Sequence, residues 1–101
     1  MNPWKPDNNP RQARRIGKTM EEMGEAVAVL ARISIQGLYA TDPGSGDLNR
    51  LRLMNELADV QAQIDCTVVA LGLDQGYMAR RAAEKKTQME DWEAHFGDCP
   101  F

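Results

Sequence analysis

No stretch of this chain approaches the roughly 18 consecutive apolar residues of a membrane-spanning helix. The opening "MNPWKPDNNP" also lacks the apolar core of a secretory signal, so the expected location is cytoplasmic, without a membrane partner. Cysteine is scarce: Cys66 and Cys99 belong to no CxxC or Cys/His cluster, which leaves zinc and disulfide frameworks without support. The lone histidine, His95, lies near the C-terminus with no nucleophile or acid partner evident, and it reads as a surface or boundary residue rather than a base. A surplus of basic charge is missing too. Net charge −3 and pI near 5.1 argue against a nucleic-acid or anionic-membrane binder. No stretch alternates as a strand does, and no repeat or low-complexity segment is present.

What the chain has is helix. At 101 residues, 43% hydrophobic and 27% charged, it fits one globular domain. "NNPRQ" is a helix start: Asn9 as cap, Pro10 at the first helical position, and Gln12 placed for a capping box. The stripe Ile16, Met20, Met23, Val27, Leu30 carries this helix to about Gly37 or Tyr39. "ATDPGSGD" is a loop, and Asp47 is placed to cap the second helix. That helix carries Leu53, Leu57, Val60, Ile64, Val68 and Leu71 and ends at Gly72. Cys66 falls within it as a small buried hydrophobe. Asp74 is placed to cap a third helix bearing Met78, Ala82, Lys85, Met89, Trp92 and Phe96.

The class is all-α, with an extended arm over 1–9, one helical domain over 10–97 and a tail over 98–101. Leu51, Met54, Ala58, Ala62 and Val69 give the second helix another apolar face. Three helices of roughly 35 to 40 Å make a thin slab that leaves such a face uncovered. A homodimer or homotetramer is therefore expected, with a four-helix-bundle-like core formed on association.

The acids raise the chemical question. Glu21, Glu22 and Glu25 crowd one side of the first helix, where like charges repel. On the second, Glu56 and Asp59 repeat the i, i+3 spacing of Glu22 and Glu25, and both pairs abut the apolar stripe. If the two helices pack antiparallel across the loop, four carboxylates converge. A hard divalent cation such as Mg²⁺ supplies the missing counter-charge. The alternative is a solvated acidic face on a non-catalytic helical interaction module. Lys85 sits in a stripe position where periodicity calls for an apolar residue, so it must snorkel or meet an anion; beside a metal site, a phosphate is the better partner. Lys86, Arg80 and Arg81 extend that basic field; Trp4 and Tyr39 are rings able to stack on a base, and Trp92, which could also stack, reads rather as core.

"KTMEEMGEA" followed by "NELADV" resembles the EExxE…ExxD signature of the MazG-like, all-α nucleoside triphosphate pyrophosphohydrolases. The likeness spans about residues 14 to 92, "ALGLD" and the basic third helix included. It implies a Mg²⁺-dependent enzyme, with Mn²⁺ as a substitute, that cuts the α–β bond of a nucleoside triphosphate. By resemblance Glu22, Glu25, Glu56 and Asp59 match the metal ligands. Glu21 matches an extra acid, so that Glu21 or Glu25 takes the proton of the attacking water. Lys18 matches a basic position before the paired glutamates, placing it with Lys85 and Lys86 among the phosphate-binding candidates. Two departures stand out: thirty residues separate Glu25 from Glu56, slightly beyond the usual range, and Lys86 stands where many relatives carry Asn. The short format and the "RRIGKT…IQG" run look closest to phage-borne members that act on purine deoxynucleotides such as dGTP and dATP, which would place the protein in the host cytoplasm.

Overall fold

Asn9 opens the first helix as its chemistry requires. Its backbone is extended (φ −81°, ψ 111°), and its Oδ1 accepts from the amides of Arg11 (3.0 Å) and Gln12 (3.2 Å). Those are two of the four amides that every helix start leaves without partners. Helix α1, Pro10–Gln36, ends at Gly37, whose φ of 100° few other residues adopt. Helix α2 is Asn49–Ala70; past its end Gly72 (φ 63°) and Leu73 return their amides to Val69 and Val68, a Schellman ending. Helix α3, Gln75–Phe96, starts under Asp74, whose Oδ1 accepts from Tyr77 N–H at 2.9 Å. This computed structural model describes residues 3–6 and 8–96, so the tail 98–101 with Cys99 lies outside the described residues. Among those described no strand forms, only one antiparallel bridge between Thr41 and Leu48. The all-α class stands.

The loop between α1 and α2 is a built structure. Asp42 is 2% exposed; it accepts from Gln36 Nε2 (3.0 Å) and Ser45 N–H (2.9 Å), and Arg32 and Arg52 face it at 3.5 Å. The Gln36 and Ser45 hydrogen bonds, helped by the charge of Arg52, hold its carboxyl well below the usual range. Asn49, fully buried, donates through Nδ2 to the Gly37 carbonyl (2.8 Å) and Gln36 Oε1 (3.1 Å). The residue before α2 is Leu48, without a side-chain cap, rather than the expected Asp47. The Ala40 carbonyl accepts from Asn49 N–H at 2.9 Å, so the loop backbone does part of the work expected of Asp47.

α1 and α2 form the only extensively packed helix pair among the described residues. The side of α1 that turns inward is Arg15, Thr19, Glu22, Ala26, Val29, Ile33 and Gln36, the residues of this helix that are buried or half-buried. Their steps of four and three are those of a helix seam. The expected stripe lies beside this seam and is exposed, Met20 at 66% and Val27 at 64%. The reason is geometric: one partner helix covers a narrow strip, and α3 does not cover the rest. Polar layers cross the seam at Arg15–Gln63 and at Thr19–Thr67, whose hydroxyls lie 2.6 Å apart.

α3 starts beside the last turns of α2, and all its side chains except Phe96 are exposed. Trp92 stacks on Phe96 (centroids 5.2 Å apart) and joins no core. Cys66, expected inside, is exposed because no described residue covers that side of α2. Ala26 and Val29 are the only buried apolar residues among those described. The radius of gyration is 17.6 Å, against about 13 Å for an ordinary hundred-residue domain.

Asn49→Ala strips partners from the Gly37 carbonyl and from Gln36. It should lower stability by about 1–3 kcal/mol, read as a lower urea midpoint with an unchanged slope. A loss below about 0.5 kcal/mol, the range of ordinary surface substitutions, would mean that this connection does not hold the hairpin.

Candidate metal centre

Next to the Thr19–Thr67 layer, the seam brings three acids together. Glu22 comes from α1 and Glu56 and Asp59 from α2; each offers a carboxylate oxygen, and these lie within 4.8 Å of one another. Helical spacing makes this possible: Glu56 and Asp59 are three residues apart on one side of α2, opposite the inward side of α1. Glu22 and Glu56 are half-buried and Asp59 is exposed. Among the described residues, one oxygen of Glu22 and one of Glu56 are buried without a hydrogen-bond partner.

A buried carboxylate oxygen without a donor is costly, and like charges nearby add to that cost. The carboxyl of Glu22 is pushed up by burial first, then by the charges of Glu25 and Asp59. That of Glu56 is pushed up by burial, Glu25 and Asp59, with Arg52 opposing. Hard oxygen donors, two of them unsatisfied, with unbalanced negative charge, are what a divalent cation requires. The residues fit a metal.

The other candidates stand differently. Glu25 is exposed; its charge acts on both glutamates, but it is not one of the three converging groups. Glu21 and Lys18 pair with each other at 3.3 Å, both about half exposed, a surface contact of little energetic weight. Lys85 and Lys86 line a groove formed by α3 alone, with Ala82, Met89, Glu90 and Glu93. The rings do not gather. Tyr39 lies beneath the guanidinium of Arg50, 5.5 Å from its centroid, at the loop end. Trp4 is on the arm and Trp92 far along α3.

Sequence reasoning passed over Arg52. It faces buried Asp42 and lowers the cost of charge on Glu56, linking the loop to the acids. Its position four residues before Glu56, hence on the same side of α2, was a usable signal. Compared with known proteins, the chain matches no family model, no curated protein and no solved structure.

Glu22 and Glu56 bind protons more tightly folded than unfolded. Their contribution to stability is therefore full below about pH 4.3, the ordinary glutamate value, and is lost as pH rises through their higher folded values. In EDTA, Tm should fall as pH rises from that value towards neutrality, and Glu22→Gln should flatten the profile. Asp42 has the opposite sign and acts at more acid pH, costing stability as pH falls below the ordinary aspartate value. A profile unchanged by Glu22→Gln would show that the cluster carries no such strain.

Proposed function

We propose that this chain is a Mg²⁺-dependent nucleoside triphosphate pyrophosphohydrolase of the MazG-like kind, converting a (d)NTP and water to a (d)NMP and pyrophosphate. One observation carries the reading: three acids from two helices converge, and two of them, Glu22 and Glu56, each hold a buried oxygen without a hydrogen-bond partner among the described residues. The reaction itself comes from the resemblance of "EEMGE" and "ELAD" to that family's signature. Glu22, Glu56 and Asp59, with Glu25 at the rim, would hold the metal. When bound, Mg²⁺ or Mn²⁺ supplies charge neutralisation and activation of water. Glu25, or Glu21 beside it, accepts the proton of the attacking water. Lys18, Lys85 and Lys86 meet the phosphates, and dGTP and dATP are the first substrates to try.

Assembly belongs to the same reading. The chain exposes 8355 Å², against about 5,700 Å² for a folded monomer of its mass. The excess exceeds the roughly 800 Å² per partner of a standard interface. The stripe of Met20, Met23, Val27 and Leu30 and the second apolar face of α2 are the surfaces to cover. A homodimer or homotetramer covers them and lets the α3 of one copy carry Lys85 and Lys86 towards the carboxylates of another. Sedimentation at the monomer mass of 11.3 kDa would overturn this assembly.

The exposure of Glu21, Glu25 and Asp59 favours a second reading, a non-catalytic helical module with a solvated acidic face. Metal binding separates the two. Saturating Mg²⁺ or Mn²⁺ at a hundred times its Kd should add about 2.7 kcal/mol of stability, and a solvated face should gain none.

Pyrophosphate release across a panel of NTPs and dNTPs tests the activity. Glu22→Gln, Glu25→Gln, Glu56→Gln and Asp59→Asn should each lose most turnover while keeping their helicity. If all four turn over like the parent, the site is elsewhere. Lys85→Met should lower kcat/KM about ten- to a hundredfold, the loss of one charge-assisted contact of roughly 1.5–3 kcal/mol. An unchanged kcat/KM would return this lysine to the surface.

A further inference from the structure

The other end of the α1–α2 seam carries charge of the opposite sign. A cavity of about 470 Å³ lies between the start of α1 and the end of α2, lined by Asn9, Arg11, Gln12, Arg14, Arg15 and Leu71, with Ala70 beside them. Among the described residues no carboxylate lines it, and none forms an ion pair with Arg11, Arg14 or Arg15. Arg11 stands three and four residues before Arg14 and Arg15, so the three guanidinium groups repel one another. They also sit at the positive end of the α1 dipole, where cations are disfavoured. The last carbonyls of α2 offset part of this charge. Even so, Nε of Arg15 is buried without a partner among the described residues while its other end donates to Gln63.

The ligand that such a groove fits can be narrowed. The first amides of α1 are already taken by Asn9, so binding falls to side chains rather than to the helix terminus. Guanidinium forks match phosphate oxygens two at a time. Three of them around one cavity suit an anion with several phosphate oxygens better than a single carboxylate. Arg15 is seven residues from Glu22 on the same side of α1, about 10 Å along the axis, which makes this a place separate from the carboxylate cluster. We propose that the Arg11–Arg14–Arg15 groove is an oligophosphate-binding site, occupied by free pyrophosphate or by the phosphates of a nucleotide. It stands independently of the activity proposed above, because it needs no metal.

Calorimetry on the full chain in EDTA, at low salt, tests this with two probes: inorganic pyrophosphate and a non-hydrolysable nucleoside triphosphate analogue. Without a divalent ion the carboxylates repel both probes, so binding by either supports the groove. Tighter binding of the nucleotide would name it as the fuller ligand. The double variant Arg11→Gln/Arg14→Gln changes two exposed side chains and should fold. It should weaken binding roughly tenfold for each arginine removed, whereas Glu22→Gln should keep it. Arg15→Lys, which retains the charge but loses the fork, should weaken it as well. Failure of both probes to bind in EDTA, or binding indifferent to the double variant, overturns the proposal. So does binding that needs Mg²⁺ and vanishes in Glu22→Gln, which would give the anion to the carboxylates. An altered sedimentation coefficient with unaltered anion binding in the double variant would mean that the arginines meet another protein chain, and would also overturn it.

Discussion

The register of α1 against α2 is held at the loop end by a buried carboxylate. Asp42 accepts from Gln36 on α1 and from Ser45 in the loop, and it faces one arginine on each helix. With Asn49 tied to Gly37 and Gln36, this fixes which turn of one helix lies opposite which turn of the other. Glu22 meets Glu56 and Asp59 because that register is kept. A slip of one turn would replace the acidic layer with another pairing. Among the described residues the fully buried apolar side chains are Ala26 and Val29, with Ile33, Leu53, Val60, Ile64 and Val68 half-buried beside them. The polar groups therefore share in choosing the register.

The seam is also an ordered series of charge environments. From the start of α1 it passes the arginines, a threonine pair, the carboxylates, two small apolar residues and the Asp42 network. Outside the Asp42 network, where Arg32 and Arg52 meet a carboxylate, positive and negative groups are segregated along its length rather than paired across it. Segregation of this kind is poor for stability, since each cluster repels itself. It is well suited to holding ligands of opposite sign at separate places.

Much of this was legible in the sequence where the physics is local. The caps Asn9 and Asp74, Pro10 at the first helical position, and glycines 37 and 72 at helix ends all act within a few residues of themselves. The i, i+3 acids are local as well, and with an antiparallel hairpin they brought three of four expected ligands together. The inward side of α1 was not legible. Periodicity finds the most apolar stripe, Ile16 to Leu30, whereas the hairpin buries the neighbouring one with Arg15, Thr19 and Glu22 in it. A single helix pattern cannot say which stripe its own chain covers and which it leaves outside. Leu48 in the place expected of Asp47, and the exposure of Cys66, have the same origin: partners distant in the chain, or missing from it, decided them.

The Asp42–Asn49 latch also has a topological consequence. Exchange of α1 between two copies would require the connection to straighten, stripping the bonds of Asp42 and of Asn49 together. The latch therefore keeps α1 paired with the α2 of its own chain. The three converging acids all come from one hairpin, so the carboxylate cluster is completed within one polypeptide. In a mixed population of intact and damaged chains, every intact chain keeps a whole cluster of its own.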